Sequence, residues 1–369
     1  MIAGSTEMMC EQFNLSVLKL AAVSPESTSV SISENLVISC SASINSNTDV
    51  ESTTRMMSPT SIRSGSHTDI GLRRSNEDQH IMIDDLSKHL GDAYKWDLPS
   101  SFYALFDGHG GPDASSYVKE HAMRLFFEDS DLPQTSPSGA LDSDDLVNND
   151  LFLKQIEESH CKAFLLADRA LSDECSVSCY CGTTALTVLI VGRHIIIANA
   201  GDCRAVLCRN GSAMQITQDH RGLTCLHEKE RCEQLGGYFD EDGYLNGQLG
   251  VTRSLGNWHM KKEKVLIAEP DVKQMVMTDN DEFLIIACDG IWDVMSNQEA
   301  VALVGCQLRQ HNDPQRCAKE LVNQALRLHA TDNLTAIVVC FSSYNLKATT
   351  QPRFPNSRLF MKKPLNILI

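Results

Sequence analysis

Four short apolar runs in this chain each meet carboxylates at one end, and that pattern limits the folds open to it. Asp107 closes the run Phe102 to Phe106, and Asp289 with Gly290 closes Phe283 to Cys288. Asp332 and Asn333 open Leu334 to Phe341, and Glu77 and Asp78 open Gln79 to Ile83. Runs of this length suit strands. Carboxylates gathered at strand ends repel one another and are penalised by desolvation, so they are not there for stability. Carboxylates that converge neutralise a hard divalent cation through their oxygens. The expectation is a fold that brings these strand mouths together, with metal-assisted chemistry where they meet.

The connections narrow the architecture further. Thr184 to Val191, then Gly192-Arg193, then His194 to Ala200 reads as a hairpin; Gly201-Asp202 turns into Arg204 to Cys208, and Asn210-Gly211 is another turn signal. Links this short join only antiparallel strands. Helical patterns lie at Pro112 to Phe127, Leu151 to Leu171, His227 to Leu235, Asn297 to Arg309 and Pro314 to Leu328. Pro112 and Pro314 suit first-turn positions, and Ser296 or Asn297 suits a cap. The predicted class is α+β: a sandwich of antiparallel sheets with helices packed outside.

The core is expected from near Ser66 to about residue 345. Residues 1 to 65, rich in Ser, Thr and Asn, read as a disordered leader, with Leu15 to Val23 as a short apolar exception. Asp129 to Asp150 combines Pro133, Pro137, Gly139 and several acids, and reads as a surface loop. Residues 346 to 369 form a basic, Pro-punctuated tail that is either solvated or a nuclear-import or partner-binding segment. A net charge of −16 argues against a nucleic-acid surface. The 14 cysteines are diluted in 369 residues, and Cys208, Cys288 and Cys340 sit inside apolar runs, as reduced thiols do. With no convincing targeting segment and no apolar stretch of membrane-span length, cytoplasm or nucleus is the expected compartment. Cys175, Cys179 and Cys181 cluster without a nearby fourth ligand, which reads as a reduced surface loop rather than a zinc site.

The chemistry concentrates in Asp107-Gly108-His109-Gly110-Gly111. Glycine lets backbone approach a ligand closely, so the Gly108 carbonyl can face a cation, and His109 is placed to donate a proton. A plain tight turn and a solvated histidine explain the same residues equally well. The distant acids tip the balance: Asp289 and Asp293 follow one strand, Asp332 precedes another, and Asp202 sits in a turn between two more.

With these residues in view the chain resembles the metal-dependent protein serine/threonine phosphatases of type 2C, the PPM family. The matching stretches, in family order, are Gly71 to Asp78, Phe106 to Gly111, Ala198 to Arg204, Gly247 to Gly256, Glu269-Pro270, Cys288 to Asp293 and Asp332-Asn333; Trp258 to Lys261 and Gly243 to Leu249 look like the plant members. The resemblance implies two antiparallel sheets flanked by helices, and two Mn²⁺ or Mg²⁺ ions that activate a water for hydrolysis of phosphoserine and phosphothreonine in proteins. Carried over by motif, Asp107 would bridge both ions, the Gly108 carbonyl would bind one, and Asp289 and Asp332 the other. Glu77 and Asp78 would hold waters around them, and Asp202 and Asp293, with Asp289, match acids that hold a third ion in some relatives. Arg73 would clamp the phosphate, with neighbouring Arg74 as the competing assignment, and His109 would protonate the leaving oxygen. Partners would be phosphorylated proteins, kinases among them, met by a monomer without membrane or nucleic acid.

Two residues depart from the family pattern. Asn257 stands where the family usually has aspartate, and Asp219-His220-Arg221-Gly222 replaces Asp-His-Lys-Pro. They keep a second reading open, a non-catalytic scaffold that binds phosphoproteins. A cysteinyl-phosphate mechanism is disfavoured because no cysteine–arginine phosphatase loop is present. A small-molecule phosphoesterase is the third reading. No tryptophan lies between Gly237 and Leu249, which disfavours a hormone-coreceptor role.

Overall fold

The apolar runs form strands, and their ends place the acids. In the computed structural model, residues 62–341 are described apart from 92, 93, 97, 137–145, 175, 262 and 263, and the expected leader and tail lie almost wholly outside them. The strands are β1 (Arg63–Asp69), β2 (Gln79–Ile83), β3 (Ser100–Phe106), β4 (Gly108–His109), β5 (Gly182–Thr183), β6 (Ala185–Val191), β7 (His194–Ala200), β8 (Arg204–Arg209), β9 (Ser212–Gln215), β10 (Leu255–Gly256), β11 (Asp271–Val276), β12 (Asp281–Ala287) and β13 (Leu334–Cys340). The helices are α1 (Ser87–Leu90), α2 (Asp113–Met123, continued by a π-helical turn Arg124–Glu128), α3 (Leu146–Asp173), α4 (Leu226–Gln234), α5 (Asp289–Trp292), α6 (Asn297–His311) and α7 (Pro314–Arg327).

Two five-stranded sheets carry the fold, in the orders β1-β13-β12-β8-β9 and β11-β7-β6-β3-β2, and their pairings are all antiparallel. Side chains alternate across a strand. In β3, Phe102, Ala104 and Phe106 face α2 and α3, while Tyr103 and Leu105 face the other sheet. In β12, Phe283, Ile285 and Ala287 join the cluster beneath α6 and α7, while Leu284 and Ile286 meet the first set between the sheets. Both faces are therefore dry, which is why these antiparallel strands read as continuous apolar runs instead of alternating ones.

Antiparallel pairing puts the end of one strand beside the start of its neighbour. Gln79 pairs with Phe106, so Glu77-Asp78 lie next to Asp107; Ala287 pairs with Ala336 and Arg204, so Asp289, Asp332 and Asp202 share one edge. Stacking the two sheets brings both edges to the same end of the sandwich.

Several expectations are refined. A small third sheet, β10-β5-β4, joins the two large ones; its two-residue strands carry no apolar run to announce them. The stretch expected as loop to Asp150 is helical from Leu146, where α3 begins. Pro112 is the residue before α2 rather than in its first turn, whereas Pro314 does open α7. Ser296, not Asn297, caps α6, in a capping box with Glu299. Cys181 is buried and donates its S–H to the Gly110 carbonyl, so it belongs to the wall of the glycine loop rather than to a surface loop. Between β9 and β11 the chain makes an excursion that carries α4 and its own small core of Cys232, Leu245, Met260, Val265 and Leu266. No helix among the described residues is long and apolar enough to cross a membrane.

Candidate metal centre

At the acidic end of the sandwich, oxygens of Asp107, Asp202 and Asp289 lie within 4.8 Å of one another, and Asp78 and Asp107 form a second such group with the Cys288 sulfur. One hard cation binds oxygens at roughly 2.0–2.6 Å, so ligands on opposite sides of it stand about 4–5 Å apart. The spacing fits.

The electrostatics fit as well. Asp78 is buried; its Oδ2 accepts from Thr335 Oγ1 at 2.7 Å, while its Oδ1 is buried without a partner. Burial, with Asp332 nearby, pushes its pKa up to about 6. Burial and the neighbouring Asp78, Asp289 and Asp202 also raise that of Asp107, and burial with Asp202 does the same to Asp289. Such mutual repulsion marks a site built for positive charge. Burial raises the Cys288 thiol pKa, and its S–H is directed at the Asn333 carbonyl while its sulfur accepts from Thr335 N–H at 3.1 Å.

The remaining predicted residues surround this group. Arg73, on the exposed turn after β1, donates from Nη2 to Asp332 Oδ2 at 2.6 Å, so Asp332 is held by the arginine expected to grip phosphate; Arg74 is exposed beside it. Glu77 uses its carboxylate on the glycine loop: Oε2 accepts from Gly111 N–H at 3.0 Å and Oε1 from Ser75 Oγ at 3.1 Å. A side chain at Gly108 would collide with the Glu77 carbonyl and Ser115 Oγ, so glycine is required there. Asp289 and Asp293 lie one turn apart on and just after α5, and with Asp202 they converge on Arg221. The corner expected to hold a third ion is filled by that guanidinium. Arg221 went unassigned in the sequence, because only the fold brings it to Asp202, Asp289 and Asp293.

His109 Nε2 lies 2.7 Å from Asn257 Oδ1, and burial lowers its pKa although that hydrogen bond opposes the shift. Asn257 is buried with φ 52°, a backbone conformation asparagine tolerates well, and it uses both ends of its amide. Oδ1 also accepts from Ser254 Oγ at 2.8 Å, while Nδ2 donates to the Tyr180 carbonyl at 3.0 Å. An aspartate there would lack the donor. Asn333 was missed for a role: its Oδ1 accepts from Glu77 N–H at 2.8 Å and its Nδ2 donates to the carbonyls of Ile70 and Ser75, stapling the Arg73 turn to the start of β13.

Comparison with known proteins agrees with this geometry. The profile of the family described as Protein phosphatase 2C matches residues 62–334. "Probable protein phosphatase 2C 13" of Arabidopsis thaliana is 52% identical over 302 residues, 80% of this chain and 75% of its own length. "Probable protein phosphatase 2C 47" of Oryza sativa subsp. japonica is 55% identical over 287 residues, 77% of this chain and 71% of its own. Among solved structures, serine-threonine phosphatase 2C from Toxoplasma gondii has a TM-score of 0.62 at 24% identity, covering 78% of this chain and 96% of that one, which shows the shared fold. Profile, relatives and fold agree over the residues that build the acidic end of the sandwich: the chain belongs to the protein phosphatase 2C family, as a plant-like member, and is a protein serine/threonine phosphatase.

Proposed function

We propose that the chain removes phosphate from phosphoserine and phosphothreonine in proteins with two divalent cations, Mn²⁺ or Mg²⁺, held at the acidic end of the sandwich. The observation that carries this reading is the knot of carboxylates made by buried Asp78 and half-buried Asp107 and Asp289, with Asp78 Oδ1 left without a hydrogen bond. An all-oxygen donor set favours hard cations. When bound, the pair of cations supplies Lewis acidity, acidifying a water and offsetting charge on phosphoryl oxygens.

The chain's own residues do the rest. Asp107, Asp289, Asp332 and the Gly108 carbonyl would hold the cations, and Asp78 and Glu77 would hold waters around them, with Glu77 also tying down the glycine loop through Gly111 N–H. Arg73 is well exposed and offers a planar fork that matches two phosphate oxygens, which a lysine would not. Because Asn257 Nδ2 donates to Tyr180, its Oδ1 is the acceptor, so His109 carries a proton on Nε2. In the imidazolium form a second proton sits on Nδ1, and that is the one available to the departing seryl or threonyl oxygen, its release leaving the neutral ring with Nε2–H on Asn257. Substrates are phosphoproteins, kinases among them, met by a monomer in cytoplasm or nucleus.

The test is phosphate release from a phosphothreonine peptide by the purified full chain. Release is expected with Mn²⁺ or Mg²⁺ and lost in EDTA, and equal rates with and without EDTA would overturn the metal-dependent reading.

A further inference from the structure

One arginine binds all three acids of the corner next to the metal centre. Arg221 donates from Nε to Asp202 Oδ2 at 2.6 Å, from Nη2 to Asp289 Oδ2 at 2.6 Å, and from Nη1 to Asp293 Oδ1 at 2.9 Å. The acids come from different parts of the fold: the turn before β8, the start of α5, and the residue after α5. The guanidinium itself is about a quarter exposed, and Asp202 is 6% exposed. This is a built site.

The backbone explains why residue 221 is there. His220 is fully buried, and its N–H donates to the Gly201 carbonyl at 3.0 Å while the Gly201 N–H donates back to His220 Nδ1 at 3.1 Å. Thr252 N–H donates to the His220 carbonyl at 2.8 Å, and one residue earlier Asp219 takes a bidentate bond from Arg204. Residues 219–221 are thus clamped along the Gly201-Asp202 turn. Gly222 follows because a side chain there would overlap the Phe239 ring, which also leaves no room for a proline.

We propose that Arg221 is the resident cation of the Asp202–Asp289–Asp293 corner, so that this corner takes no divalent ion and the arginine fastens the 216–270 excursion to the metal centre. A guanidinium stays charged throughout the physiological range and presents its N–H groups in a fixed fork. It donates to one oxygen of Asp202, one of Asp289 and, with a longer second contact at 3.5 Å, both of Asp293, and leaves Asp289 Oδ1 for the neighbouring centre with Asp107. A divalent ion at this corner needs those same oxygens and would have to displace a like charge already bound to all three acids. A lysine would bring one ammonium in place of the fork and could not span three carboxylates from this position. Arg221 is therefore a positioning residue for Asp289, and the inference rests on the metal-dependent reading above.

The test counts ions directly. Mn²⁺ is titrated into the metal-free full chain, wild type and Arg221→Ala, and free Mn²⁺ is followed by electron paramagnetic resonance, with melting curves to verify folding. Wild type is expected to take two ions per chain. Arg221→Ala is expected to take three, the extra one lost again in Arg221→Ala combined with Asp202→Asn. Three ions in wild type overturn the inference even if the alanine variant does not fold, and so does an Arg221→Ala chain that folds and takes two or fewer. No bound Mn²⁺ in wild type overturns the metal-dependent reading and the inference together.

Discussion

Two regions of this molecule bury carboxylates, and they settle the charge in opposite ways. At the base of the excursion, Glu228 is 1% exposed and every side of it is paired. Its Oε1 accepts from Arg253 at 2.8 Å and Arg231 at 3.2 Å, and its Oε2 from Thr252 Oγ1 at 2.7 Å and Arg231 at 2.9 Å. Burial alone would raise its pKa, but the bonds from Arg253, Arg231 and Thr252 outweigh burial and hold it far below the carboxylate range. At the strand mouths Asp78, Asp107 and Asp289 gather, and burial with repulsion from nearby acids, Asp202 and Asp332 among them, raises all three. The first cluster carries its own cations and is structural. The second leaves the positive charge to be supplied from outside, and that deficit is what makes it a site. Arg221 marks the border, where the chain's own cation takes over.

Deleting one acid from each cluster should therefore move stability in opposite directions, and this is the largest effect expected. Glu228→Gln leaves Arg231 and Arg253 short of their counter-charge and should destabilise the chain by about 3–5 kcal/mol. Asp107→Asn relieves repulsion and should raise the melting midpoint of the metal-free chain, while cutting Mn²⁺-dependent phosphatase activity more than about a hundredfold, the upper end of what losing a group behind a metal ligand costs. Chemical denaturation of the metal-free proteins reads both signs. A lowered midpoint in Asp107→Asn would show that the acids are paired within the chain and break the contrast.

The contrast also has a pH signature. Asp78 has a folded pKa of about 6 against an unfolded 3.8, so the stability from its protonated form is complete below 3.8 and lost as pH rises through about 6. Glu228 is shifted the other way from 4.5: its contribution is present above that value and disappears only as pH falls through its depressed folded pKa. Between pH 4.5 and 7 the protonated Asp78 loses its contribution as pH rises, whereas His160, His109 and His80, whose pKa values burial lowers from 6.5, favour the folded chain as pH rises. The signature is therefore read as a difference: from pH 5 to pH 7 the metal-free wild type should lose melting temperature relative to Asp78→Asn. A difference of about 2–4 °C corresponds to each 1 kcal/mol in a chain of this size. Saturating Mn²⁺ should remove the trend, because the cation takes the place of the proton.

How much of this the sequence carried depended on how local each signal was. The strand runs, the hairpin at Gly192-Arg193 and the acids at the run ends are legible because each is a property of a few adjacent residues. The inward acids were found from apolar runs that end in aspartate, since a dry strand leaves no other reason for a carboxylate at its mouth. The small sheet was not legible, because Gly108-His109, Gly182-Thr183 and Leu255-Gly256 become strands only when the large sheets bring them together. Arg221 was illegible for the same reason. Its three partners lie 19, 68 and 72 residues away, and nothing in the Asp-His-Arg-Gly stretch shows which acids it will meet. The loss of proline at Gly222 helped keep the scaffold reading open, whereas the structure gives the space to the Phe239 ring.

The smallest effect, and the one that most sharpens the role of the acidic end, concerns Asn257. Replacing it by the aspartate usual in the family keeps an acceptor for His109 but turns a carboxylate oxygen toward the Tyr180 carbonyl, where the amide N–H now donates. One buried acceptor loses its donor, so Asn257→Asp should cost about 1–3 kcal/mol of stability with Mn²⁺ present. The activity change tests the chemistry. Burial lowers the His109 pKa, and a negative charge beside Nε2 would favour the imidazolium, moving that pKa up. If protonated His109 delivers the proton to the leaving oxygen, activity is lost on the alkaline side as His109 loses its charge. That alkaline limb should then sit at higher pH in Asn257→Asp than in wild type, with the acid limb set by the carboxylates unmoved. A profile that keeps its alkaline limb in place, in a variant that folds, would remove His109 from the proton path and leave protonation of the seryl oxygen to solvent.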